Sequence, residues 1–107
     1  MQAFRDMYDV VVNRRDNPQE GSYTCYLFEK GLDKILKKCG EECTEMVIAA
    51  KNADKDELSN EINDLMYHMV VLMVECGVSV DDIEKIMVER AAKIGNLKQF
   101  HVSDHNT

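Results

Sequence analysis

The chain has 107 residues, enough for one domain and little else, and a core of that size leaves stability marginal unless subunits associate. The lack of tryptophan and the scarcity of glycine (five) and proline (one) disfavour many-turn β architectures and favour a few long helices. Thirteen Lys and Arg against twenty Asp and Glu give a net charge of −7, which argues against a nonspecific nucleic-acid binder and requires cations, or a local lysine cluster, if the substrate is itself an anion.

Residues 2–15 carry Phe4, Met7, Tyr8, Val11 and Val12 at helical spacing, which predicts a first helix. Arg5, Asp6 and Asp9 interrupt its apolar residues, so no secretory signal is expected there. Asn17-Pro18 and Gly21 break the pattern, and Ser22 or Thr24 can cap the next helix. From about 24 to 51 runs a long stripe of Leu27, Phe28, Leu32, Ile35, Leu36, Cys39, Cys43, Met46, Val47 and Ala50. Gly31 and Gly40 interrupt it, and a glycine inside a helix costs about 1 kcal/mol against alanine, so a kink or break near Gly31 is expected.

Residues 52–56 form a polar turn, with Asp54 and Glu57 as a D-x-x-E start signal. A helix over about 55–76 comes next, with Leu58, Ile62, Leu65, Met66, Met69, Leu72, Met73 and Cys76 inward and Gly77 as its stop. Ser79 and Asp82 cap a last helix to about Ile94, with Ile83, Ile86, Met87 and Ala91 inward. Residues 96–107 are a polar tail without clear periodicity. The expectation is an all-α, four- to five-helix bundle-like subunit forming one domain over 1–107. The longest apolar run, Met69 to Val74, is too short to span a bilayer, so a cytoplasmic protein with no membrane partner is expected. Cys25, Cys39, Cys43 and Cys76 then read as thiols; Cys39 and Cys43 suit buried small hydrophobes better than metal ligands. The seven methionines read as core filling, with a Met-rich partner groove as the alternative.

The chemistry lies in the acids. Glu41, Glu42 and Glu45 sit on one predicted helix; Glu61 and Asp64, preceded by Glu57, sit on the next. Residues three or four apart share a helix face, so Glu42 and Glu45 can reach one point, as can Glu61 and Asp64. A short turn makes the two helices antiparallel neighbours, so all four carboxylates can converge. They border the apolar stripe, where uncompensated carboxylates are costly. All-oxygen ligands favour Mg²⁺ or Mn²⁺ over zinc. The competing interpretation is a solvated acidic face.

Lys30, Lys34 and Lys38 step by four toward Glu42, with Lys37 beside them. Lysines suit phosphate oxygens, and carboxylates suit the metal that bridges those oxygens. Pairing of these lysines with Glu29, Asp33 and Glu41 is the alternative. His68 lies one turn beyond Asp64 and reads as a satisfied buried histidine before a ligand or base; His101 and His105 read as solvated.

Ser22-Tyr23-Thr24-Cys25-Tyr26-Leu27-Phe28-Glu29-Lys30-Gly31, then Lys34-Ile35-Leu36-Lys37-Lys38, Gly40-Glu41-Glu42, Glu45, Ala49-Ala50-Lys51, Glu61, Asp64-Leu65 and Tyr67-His68 resemble the phosphoribosyl-ATP pyrophosphohydrolase family, within the MazG-like all-α NTP pyrophosphohydrolases. The resemblance covers roughly residues 4–92. It implies Mg²⁺-dependent hydrolysis of 1-(5-phosphoribosyl)-ATP to the AMP compound and pyrophosphate in histidine biosynthesis, by a homodimer. It implies that Glu42, Glu45, Glu61 and Asp64 hold metal and that Glu41 assists, as a ligand or by positioning water. Lys34, Lys37 and Lys38 become candidate phosphate contacts. Ser22, Tyr23 and Thr24 become candidates for the phosphoribosyl or base end, and Arg90 matches a basic position near the last helix. Cys39 and Cys43 stand where the family suggests small or β-branched apolar residues, which agrees with core packing. With no zinc-type cysteine set, a stand-alone hydrolase is expected. A house-cleaning enzyme acting on free NTPs or dNTPs is the alternative activity, and a non-catalytic helical interaction module is the alternative class.

Overall fold

α1 (Gln2–Asp16) opens the chain with Val11 buried and Phe4, Met7, Tyr8 and Val12 packed around it. This computed structural model describes residues 1–95, and the polar tail with His101 and His105 lies outside them. Among the described residues there are four further helices and no strand: α2 (Tyr23–Lys30), α3 (Leu32–Lys51), α4 (Lys55–Cys76) and α5 (Val80–Gly95).

The boundaries reflect local chemistry. Ser22 Oγ accepts from the Cys25 amide and starts α2. Gly31, at φ 92° and ψ −172°, ends α2 and redirects the chain into α3, a conformation that needs the absence of a side chain. Gly40 stays within a continuous α3. Asp54 accepts from the Glu57 amide at 3.0 Å and starts α4. Gly77 ends α4 in the left-handed region while the Val78 amide reaches back to the Met73 carbonyl at 2.8 Å. Ser79 and Asp82 then cap each other's amides at 2.8 and 3.0 Å, which starts α5.

α3 and α4 form an antiparallel hairpin, and α1 and α2 pack on it. The core is Val11, Leu27, Ile35, Val70, Val71 and Val74, with Phe28, Cys39, Tyr67 and Leu72 against it. The α1 residues and Leu27, Phe28, Ile35, Cys39 and Leu72 pack inward as expected, but other positions expected inside do not. Leu32, Leu36, Cys43, Val47 and Ala50 of α3 are exposed, as are Ile62, Met69 and Cys76 of α4 and Ile86, Met87 and Ala91 of α5. Periodicity identifies an apolar side but not its partner. α4 is apolar around most of its circumference from Tyr67 to Val74, so its β-branched valines can turn inward while Ile62 and Met69 stay out.

α5 meets the rest of the subunit partly through charge: Arg5 bridges Asp81 at 3.0 Å and also Glu84. The radius of gyration of 16.9 Å exceeds the roughly 12–13 Å of a compact domain this long, and the extents are 54 × 34 × 25 Å. No helix among the described residues is long and apolar enough to cross a membrane.

Candidate active site

The α3–α4 hairpin brings carboxylates from both helices together. One oxygen each of Glu42, Glu45 and Glu61 lies within 4.8 Å of the others. Glu42 is only 8% exposed, and Glu61 is half-buried. Oε2 of Glu42 and Oε2 of Glu61 are shut off from water and have no hydrogen-bond partner. Such orphaned oxygens are costly unless a cation or proton meets them. Burial, then contact with the carboxyls of Glu42, Glu57 and Glu45, pushes the Glu61 carboxyl up to about 8.

Asp64 lies outside this set. Its carboxylate is exposed on α4, and its backbone carbonyl accepts from His68 Nδ1 at 2.8 Å. Glu57, one turn before Glu61, joins the group instead; with Glu45, Ile48, Ala49, Asn52 and Glu61 it lines an open cleft of about 300 Å³. The i,i+4 spacing of Glu57 and Glu61 was a readable signal for this. Its role as the capping partner of Asp54 masked it, because capping uses the Glu57 amide and leaves its carboxylate free.

The lysines divide. Lys38 Nζ lies 3.1 Å from Glu41 and 3.8 Å from Glu42, linking the lysine stripe to the carboxylate set. Lys37 approaches Glu41 at 4.0 Å. These pairs raise the Lys38 pKa and lower that of Glu41, the Lys38–Glu41 hydrogen bond leading in both cases. Lys30 and Lys34 stand over the Tyr26 ring, 5.8 and 6.0 Å from its centroid.

Ser22, Tyr23 and Thr24 gather at the start of α2. Ser22 caps the helix, and Thr24 Oγ1 meets the Tyr67 hydroxyl. The Tyr23 hydroxyl lies 3.0 Å from His68 Nε2. The carbonyl of Asp64 only accepts, so His68 donates to it from Nδ1, and Nε2 is paired with the Tyr23 hydroxyl. His68 is thus a buried, satisfied histidine. Burial pushes the Tyr23 phenol up while Lys38 pulls it down, so this ring lies within electrostatic reach of the lysine stripe. Arg90 is an exposed side chain on α5.

These features place the chain among all-α proteins that carry an acidic cluster across an antiparallel helix pair. The family model for phosphoribosyl-ATP pyrophosphohydrolase matches residues 4–91, and the chain belongs to that family. It is 56% identical over 91 residues to a phosphoribosyl-ATP pyrophosphatase of Streptococcus thermophilus, covering 85% of this chain and 88% of the relative. A relative of the same name from Clostridium novyi is 53% identical over 96 residues, 90% and 87% of the two chains. One from Lactiplantibacillus plantarum is 51% identical over 98 residues, 92% of each.

Proposed function

We propose that this chain hydrolyses phosphoribosyl-ATP to phosphoribosyl-AMP and pyrophosphate in histidine biosynthesis, as a Mg²⁺-dependent cytoplasmic homodimer. The activity derives from family membership. The observation that carries the metal requirement is the pair of donorless, water-excluded oxygens on Glu42 and Glu61. Hard oxygen donors, crowded enough to repel one another, fit a small hard dication, with Mn²⁺ as the natural substitute.

Glu42, Glu45 and Glu61 would hold the ion, with Asp64 on the next turn of α4 as a further donor. Bound there, Mg²⁺ would neutralise triphosphate oxygens and polarise the phosphoryl group under attack. Lys38 holds Glu41 and Glu42 in place and offers its charge to an arriving phosphate. Lys34 and Lys37 extend that charge along α3. Glu41, exposed enough to meet solvent and held by Lys38, orients the attacking water. His68, with both ring nitrogens engaged, positions Tyr23.

The homodimer rests on the exposed apolar stripes of α3, α4 and α5 and on the elongated subunit. Pyrophosphate release is to be assayed on phosphoribosyl-ATP, ATP and dNTPs, with Mg²⁺ present and then chelated. Turnover of phosphoribosyl-ATP well above the others, lost on chelation, is the expected result. Preference for free NTPs would instead establish the house-cleaning activity.

A further inference from the structure

Behind Tyr23 lies an open cavity of about 860 Å³ that the carboxylate site does not use. Its walls come from the end of α1, the loop over 17–22 and the start of α2, and they include Arg14, Arg15, Pro18, Ser22, Tyr23 and Tyr26. The volume is that of a small-molecule site.

The two arginines differ. Arg15 is paired with Asp16 at 3.0 Å. Arg14 is half-buried, and no carboxylate among the described residues comes within ion-pair distance of it; its side-chain partner is the Asn13 amide oxygen at 3.4 Å. Glu20 and Glu29 also line the cavity, but both are exposed and neither pairs with Arg14. In a chain of net charge −7, a half-buried guanidinium without an acid partner is available to an external anion.

Tyr23 and Tyr26 stack with centroids 6.1 Å apart and planes 24° apart, and both belong to the cavity wall. Tyr26 also lies beneath Lys30 and Lys34, and Tyr23 feels the charges of Lys38 and Glu42. The tyrosine pair therefore separates two cationic regions, the lysine stripe beside the carboxylates and Arg14 in the cavity. A ligand spanning both has anionic groups at two ends with a flat, stackable centre.

Phosphoribosyl-ATP has that form, with a triphosphate at one end, adenine in the middle and a second ribose bearing one phosphate monoester at the other. We infer that the cavity seats this second phosphate and that the Arg14 guanidinium binds it, which makes Arg14 the residue that separates phosphoribosyl-ATP from free nucleoside triphosphates. The inference rests on the hydrolase reading above.

The test compares phosphoribosyl-AMP and AMP as competitive inhibitors of phosphoribosyl-ATP turnover by the wild-type enzyme and Arg14→Gln. Both inhibitors share the adenylate; only one carries the second phosphate. Arg14→Gln should weaken inhibition by phosphoribosyl-AMP roughly 10- to 100-fold, the loss of one charge-assisted contact, while AMP inhibition moves less than about twofold. Arg14→Lys, which keeps the charge and loses the fork, should fall between and serves if the glutamine variant does not fold. Parallel weakening of both inhibitors, or of neither, overturns the assignment. A wild-type enzyme that does not turn over phosphoribosyl-ATP would instead refute the hydrolase reading itself.

Discussion

On the proposed homodimer reading, Leu36→Glu should convert the protein from dimer to monomer. Leu36 lies on the α3 stripe with Leu32, Cys43 and Val47, and it is 46% exposed in the isolated subunit. Full burial of a leucine contributes about 1.5–3 kcal/mol, so covering the exposed half contributes about 1 kcal/mol. A twofold interface repeats each residue, which doubles that to about 2 kcal/mol. The two carboxylates this places against apolar partners together add at least about 1–2 kcal/mol of desolvation. The total, about 3–4 kcal/mol, raises the dissociation constant roughly 10²- to 10³-fold. Size-exclusion chromatography with light scattering, over a dilution series, measures this directly. Wild type should hold twice the 12.3 kDa chain mass at concentrations where the variant has fallen to 12.3 kDa. A wild-type protein that runs as a monomer at tens of micromolar, or a Leu36→Glu protein that keeps the doubled mass, refutes the use of this stripe as the subunit interface.

Glu42→Gln should lower turnover by at least about 10²-fold with an unchanged circular dichroism spectrum, since it removes a carboxylate of the proposed metal site and leaves the helix intact. It should also remove most of the thermal stabilisation by Mg²⁺, which in the wild type should approach about 2.7 kcal/mol at a hundred times the dissociation constant. The pH dependence has a definite sign. The Glu61 carboxyl is raised from 4.5 to about 8, so between those values the folded state keeps a proton that the unfolded chain has lost. In chelator, unfolding temperature should therefore fall as pH rises from about 4.5 through about 8, and Glu61→Gln should flatten that slope; an equal slope in the variant would refute it. Tyr23→Phe leaves buried His68 Nε2 without its hydrogen-bond partner and should cost about 1–2 kcal/mol in chemical denaturation, with little loss if another polar group reaches that nitrogen.

Much of the fold was readable because its boundaries are set by local chemistry. Ser22, Gly31, Asp54, Gly77 and the Ser79–Asp82 pair all act within a few residues of themselves, and each marks an end where the sequence suggested one. The inward face of each helix was less legible. The stripe through Leu32, Leu36 and Val47 obeys helical spacing whether its partner lies in the same chain or another. The carboxylate set shows the same limit. Spacing brought Glu42 and Glu45 to one point and put Glu61 across from them, yet the rotation of α4 decides whether Glu57 or Asp64 stands closest, and that rotation is set by Val70, Val71 and Val74 packing on the core. Arg14 was invisible for another reason. Its significance is the lack of an acid partner, and pairing depends on tertiary neighbours.

An acidic chain that binds a polyanion must arrange its few positive charges with care, and the two ends of the substrate require different solutions. At the triphosphate end the protein supplies mostly acids, whose mutual repulsion in a half-buried cleft makes an empty site unfavourable and a cation-filled one favourable. Lys38 cannot replace that cation, because Glu41 and Glu42 already engage it. On the proposed reading, Mg²⁺ would both stabilise the cluster and admit the phosphates. At the far end one arginine suffices, since a single monoester asks for one fork and no metal. On this reading the same negative charge that disfavours nonspecific anions would sharpen selection: a ligand would have to present a metal-binding triphosphate and, across two tyrosines, a second phosphate within reach of Arg14.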